Sequence, residues 1–100
     1  MSDKKKTTKA VSTVKKSVEF KINAMPGSQV YLAGSFTQWS VDQKILKDRN
    51  NRGEYRAKVM LEPGVYEYKF IVNDAWMLDP DNPNFNSNGL GTLNSVVVVD

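Results

Sequence analysis

From Val65 to Val72 the chain reads with period two: Tyr66, Tyr68, Phe70 and Val72 fall on one side of an extended strand, Glu67, Lys69 and Ile71 on the other. Residues two apart share a strand face, so the alternation predicts a strand with an aromatic face toward a core and Lys69 pointing away from it. The same period recurs at Val18, Phe20 and Ile22 against Glu19, Lys21 and Asn23, a strand ended by Met25-Pro26-Gly27. It recurs again at Tyr55, Ala57, Val59 and Leu61 against Arg56 and Lys58, after the polar turn Asp48 to Gly53. Gln29 to Ala33 and Val96 to Val99 read as further strands. Glu62-Pro63-Gly64 turns the chain, and Asn73-Asp74 fits a two-residue hairpin turn because Asn and Asp tolerate left-handed backbone. Asp79 to Gly91 reads as a long polar loop. Short strands at regular spacing, with no sustained helical period, predict an all-β antiparallel sandwich.

Length allows one domain: a chain of 100 residues buries roughly 60–70% of its unfolded surface. The formal charge of +3 is concentrated at the start. Residues 1–17 hold six lysines against Asp3, whereas from Val18 onward eight basic residues face ten acids. The first 17 residues, rich in Lys, Thr and Ser, bury too little apolar area to offset chain entropy and are expected to form a disordered basic arm. The folded part is thus slightly acidic, which argues against nucleic acid as the partner. Cysteine is absent, excluding disulfides and thiolate metal sites and making the cytosol the expected location. No apolar run approaches the ~20 residues that span a bilayer, Thr7 to Ser17 lacks a signal-peptide core, and Ser2 excludes N-myristoylation. No membrane association and no cofactor are expected.

Catalysis finds little support. There is no histidine, no cysteine and no phosphate-binding loop. Asp79 and Asp81 are close in sequence, but Asp-Pro-Asp-Asn-Pro reads as a turn rather than a glycosidase carboxylate pair. The same stretch fails as a calcium loop because Pro83 stands where a ligand is needed and no Glu closes it. What remains are two tryptophans, Trp39 after Gly34-Ser35-Phe36-Thr37-Gln38 and Trp76 after Asn73-Asp74-Ala75, both beside turn signals. Rings so placed face solvent, where indole grips sugars or bases.

Val30 to Ser40 (VYLAGSFTQWS), Gly64 to Val72 (GVYEYKFIV), Trp76, Asp79-Pro80 and Leu90-Gly91-Thr92-Leu93-Asn94 together resemble carbohydrate-binding module family 48. Within that family they are most similar to the glycogen-binding domains of AMP-activated protein kinase beta subunits. The resemblance runs from Val18 to Asp100 and implies an early-set, immunoglobulin-like β-sandwich. It implies that Trp39 and Trp76 stack on successive glucose rings and that Leu90 projects against the curve of an α-1,4-glucan helix. Lys69, Thr92 and Asn94 are implied as hydrogen-bonding partners of sugar hydroxyls. The loop from Asp81 to Gly89 departs from the kinase domains by being slightly longer, with Asn88-Gly89 ahead of Leu90.

Taken singly, each residue also has a plainer account. Trp39 can belong to a sandwich core, Lys69 can be a solvated strand residue paired with Glu67 or Glu54, Thr92 and Asn94 can shape a turn, and Leu90 can cover a core edge. As a set they imply a non-catalytic module, residues 18–100, that binds glycogen, starch or maltooligosaccharides on a surface groove. The alternative is a protein-interaction or scaffold domain that keeps the fold without the sugar. A glucan-active enzyme or a kinase is the implied protein partner. Asp100 lies ahead of the region through which kinase beta subunits assemble, so a chain complete at that point is not expected to scaffold a kinase.

Overall fold

A computed structural model describes residues 14–100. The expected disordered arm, residues 1–17, therefore lies largely outside the described residues. Its end does not: strand β1 runs Lys16–Asn23 and so begins two residues ahead of Val18. Phe20 and Ile22 are buried to 3% and 1% exposure while Glu19 and Lys21 stay outside, as the alternation requires. β1 pairs antiparallel with β4 (Glu54–Leu61), from Lys16 opposite Leu61 to Asn23 opposite Glu54.

The second sheet has β2 (Val30–Gly34), β3 (Lys44–Ile45), β5 (Gly64–Val72), β6 (Ala75–Met77), β7 (Phe85–Ser87) and β8 (Leu93–Val99). Its order is β3-β2-β5-β8-β7, all pairs antiparallel, with β6 also pairing with β5. β5 is the spine. β2 takes one of its edges; β8 and β6 share the other, β8 along Gly64 to Tyr68 and β6 along Phe70 to Val72. The hairpin between β5 and β6 turns on Asn73 and Asp74 at φ 48° and 71°, the left-handed conformation those residues were expected to supply.

The two sheets close over one core. Phe20, Ile22, Tyr55, Val59 and Leu61 from the first meet Val30, Leu32, Tyr68, Phe70 and Val99 from the second, with Leu46 between strands. Phe20 and Tyr68 meet edge to face at 4.9 Å, and Tyr68 and Phe70 do so at 5.8 Å. This is the all-β antiparallel sandwich that the alternation predicted.

Two readings of the sequence need correcting. The stretch from Asp79 to Gly91 is not all loop, because Phe85 to Ser87 forms edge strand β7, paired with Leu93 to Ser95. All three β7 residues are exposed, so no alternation of character marks it. β8 likewise starts at Leu93 rather than Val96, its polar Asn94 and Ser95 buried in a place the apolar pattern did not announce.

One turn links the fold to the surface. After β2, Ser35–Thr37 form a single 3-10 turn, and Gln38 and Trp39 follow with φ of 52° and 61°. Two successive left-handed non-glycine residues are uncommon. The Thr37 hydroxyl holds them by donating to the Gly34 carbonyl at 3.1 Å and accepting from the Gly34 N–H at 3.2 Å, while Trp39 N–H donates to the same carbonyl at 2.9 Å. Gly34 itself is extended and needs no special backbone, but a Cβ there would stand 2.5 Å from the Glu67 carbonyl oxygen and 2.8 Å from Phe36 Cε2. Gly34→Ala is accordingly expected to destabilise the domain by about 1–3 kcal/mol through overpacking. A thermal unfolding midpoint equal to that of the parent would contradict this.

Candidate functional site

Strand parity builds the site. Val65, Glu67 and Lys69 share the outer face of β5, and the partner of Ile71 across the hairpin is Trp76, which therefore shares that face. Ala33 stands opposite Lys69 and is fully buried beneath this face. Asn94 on β8 precedes Ser95, the partner of Tyr68 on the inner face, so its side chain is outward beside Glu67 and Lys69. Trp39 reaches the same surface from the left-handed turn after β2, and Leu90 from the connection between β7 and β8.

The result is a groove of about 760 Å³. Five of the six residues singled out from the sequence line it: Trp39, Lys69, Trp76, Leu90 and Asn94. Ser35, Val65, Glu67, Ser87 and Asn88 complete the lining. Trp76 is 48% exposed and Leu90 85% exposed, whereas Asn94 retains only 6%. Neither tryptophan belongs to the buried core, so the core account of Trp39 does not hold.

Thr92 stands outside the lining and acts on it indirectly. Its hydroxyl oxygen accepts from Lys69 Nζ at 3.2 Å and from Asn88 Nδ2, tethering the ammonium to the β7–β8 connection. Asn88 Oδ1 in turn accepts from the N–H groups of Leu90 at 2.8 Å and Thr92 at 3.4 Å. Asn88, which sequence reasoning noted only as part of a lengthened loop, is therefore what shapes the turn presenting Leu90. Asn94 Nδ2 donates to Glu67 Oε1 at 2.8 Å, so the buried amide nitrogen has a partner and the carboxylate is held at the groove wall. Glu67 was also missed as a site residue. Its signal was present, since it alternates in phase with Lys69.

Below the groove a second network holds the chain that leaves β6. Tyr68 OH donates to Asp79 Oδ2 at 2.7 Å and accepts from Asn82 Nδ2 at 3.0 Å; Asp79 N–H donates to Ser95 Oγ at 2.9 Å. Burial, reinforced by the Asp79 carboxylate, pushes the Tyr68 phenol well above its ordinary pKa, keeping it a neutral donor. Asp79 Oδ1 also accepts from Asp81 N–H at 2.9 Å, the turn expected of Asp-Pro-Asp. Among the described residues no group of three potential metal ligands occurs, and no helix is long and apolar enough to cross a membrane.

The groove offers flat indole faces, aliphatic Leu90 and Val65, one ammonium, one carboxylate, the amides of Asn88 and Asn94 and the hydroxyls of Ser35 and Ser87. That combination lies open to solvent on one face of an all-β sandwich, the architecture of a carbohydrate-binding module, a non-catalytic class of domain. The chain belongs to the family described as the glycogen recognition site of AMP-activated protein kinase, whose profile matches residues 16–100. Among its relatives, human 5'-AMP-activated protein kinase subunit beta-2 is 36% identical over 73 residues, 73% of this chain and 25% of that one. Rice (Oryza sativa subsp. japonica) protein FLOURY ENDOSPERM 6, chloroplastic, is 41% identical over 64 residues, 64% of this chain and 12% of that one. Arabidopsis thaliana PTST homolog 2, chloroplastic, is 44% identical over 62 residues, 62% and 11% of the two chains. This chain thus spans a quarter or less of each of these relatives. A maltogenic amylase from S. marinus shares the fold, with a TM-score of 0.68 over 84% of this chain and 13% of that one at 22% identity. Two of the relatives carry a chloroplast designation, so their names do not converge on the cytosolic location expected from composition.

Proposed function

We propose that the groove binds α-1,4-linked glucans such as glycogen, starch or maltooligosaccharides without cleaving them. The observation that carries this reading is the convergence of Trp39, Lys69, Trp76, Leu90 and Asn94, from separate segments of the chain, on one open groove. In this reading the two indoles stack on glucose rings and Leu90 packs against the inner curve of the glucan. Lys69 donates to sugar hydroxyls, held at its reach by Thr92, and Asn94 and Glu67 supply acceptors whose orientation their mutual hydrogen bond preserves. Stacking supplies affinity and the polar groups set orientation. The partner is a neutral, flexible chain that loses freedom on binding, so the dissociation constant is expected to be roughly micromolar to millimolar, about −8 to −4 kcal/mol.

The protein partner belongs to the proposal too: a glucan-active enzyme or a kinase brought to the polysaccharide, in keeping with the greater length of the relatives. A cytosolic location rests on the cysteine-free composition.

Titration with β-cyclodextrin or maltoheptaose, followed by tryptophan fluorescence, is expected to give a saturable change. A cellooligosaccharide, whose β-linked chain is straight, is expected to give none. Absence of saturation with the α-linked sugars overturns the reading. A partner protein still bound after both tryptophans are changed to alanine, in a chain that never bound sugar, would favour the scaffold alternative.

A further inference from the structure

The outer face of the β1·β4 sheet, across the core from the groove, carries charge of the opposite sign to the rest of the folded chain. From Val18 onward the chain has eight basic and ten acidic residues. Five of those basic residues, Lys21, Lys47, Arg49, Arg56 and Lys58, gather on this side with Glu19, Glu54 and, between Lys47 and Arg49, Asp48, whose carboxylate accepts from the Arg52 and Gly53 N–H groups. The five basic residues and three acids carry +2, whereas the chain from Val18 onward carries −2. Strand pairing sets the arrangement: Lys21 stands opposite Arg56, Glu19 opposite Lys58, and Lys47 bridges to Arg56 from the far side of β4. Lys47, Arg49, Arg56 and Lys58 line a concavity of about 370 Å³ with Glu19 and Glu54.

Three observations define what fits there. Among the described residues, Arg56 is paired, its Nη1 3.1 Å from Glu19 Oε1, while Lys47, Arg49 and Lys58 form no ion pair. The concavity has no aromatic lining on which a base would stack, and its two carboxylates oppose a dense run of phosphates. Met60 follows Lys58 and Arg56 on the same outward face and is 55% exposed, a flexible apolar contact beside the charges. Separated anionic groups interspersed with an apolar side chain match all three.

We propose that this face docks an acidic polypeptide segment, with Lys47, Arg49 and Lys58 taking its carboxylates and Met60 an apolar side chain. The glucan groove lies on the other sheet and stays free.

The test uses the full chain and three fluorescein-labelled probes: a Glu-rich peptide containing leucine, the same peptide with Gln for Glu, and oligothymidylate. Anisotropy titrations at about 50 mM and about 300 mM salt bracket the screening expected of exposed charges. The Glu-rich peptide is expected to bind saturably at the lower salt and several-fold more weakly at the higher, and the Gln peptide not at all. Lys47→Glu, Arg49→Glu and Lys58→Glu together are expected to weaken binding about tenfold or more. The six lysines of residues 1–17 are a competing source of positive charge. A variant with Lys4, Lys5, Lys6 and Lys9 changed to Gln is therefore expected to retain most of the affinity. The proposal is overturned by no saturable binding, by undiminished binding in the triple variant, by loss of binding in the Lys4 to Lys9 variant, or by tighter binding of oligothymidylate.

Discussion

Trp76→Ala is expected to weaken β-cyclodextrin binding about fivefold or more while leaving thermal stability nearly unchanged. Trp76 is 48% exposed, sits in the three-residue strand β6 and lies outside the buried core, so its removal opens no cavity there. The loss falls on the ligand instead. A flat ring stacked on an aromatic side chain contributes on the order of 1–3 kcal/mol, judged from base stacking, which corresponds to about 5- to 150-fold in the dissociation constant. Trp39 remains in the variant as the fluorescent reporter. Its own replacement is a less clean test, because it stands at φ 61° in a turn whose geometry the Thr37 hydrogen bonds maintain. Unchanged affinity in the Trp76 variant would remove stacking at this position from the mechanism.

The largest stability effect is expected at Phe70. Its side chain is fully buried on the inner face of β5, one residue from Lys69, and meets the Tyr68 ring at 5.8 Å. Phe70→Ala removes most of that volume from a core that cannot collapse around the gap, because β5 is bonded on both edges, to β2 on one side and to β6 and β8 on the other. The expected cost is about 3–5 kcal/mol, a large share of the ~5–15 kcal/mol that holds a domain of this size. Circular dichroism should record a fall in the unfolding midpoint of about 12 °C or more. A fall of only a few degrees would mean that the sheets close over the gap. Trp76→Ala and Phe70→Ala lie close together on opposite faces of one sheet, and they separate binding from folding.

The contrast between Phe70 and Lys69 was legible in the sequence alone, since alternate residues of a strand face opposite ways. So were the hairpin at Asn73-Asp74 and the solvent-facing setting of Trp76, whereas Trp39 is half-buried. Strand β7 was not, because an exposed edge strand made of Phe85, Asn86 and Ser87 has no buried face to impose a pattern. Thr92 was legible as a member of the set, but its position behind Lys69 rather than in the groove lining depends on the fold of the β7–β8 connection. The basic face was only partly legible. Residues 18–58 carry seven basic residues against four acids, so an excess of positive charge is visible in the sequence, but only the pairing of β1 with β4 sets Lys21 beside Arg56 and Lys58 on one face.

By itself, then, the sequence determined the strand faces and the residue types available for binding, because period and chemistry are local properties of the chain. Tertiary structure decided which residues share a surface. Parity across β5, β6 and β8 put Trp76, Glu67, Lys69 and Asn94 side by side, and close approach of Gly34 to the Glu67 carbonyl admits the turn that delivers Trp39. Neither relation is encoded at any one position, because each depends on register between strands distant in sequence.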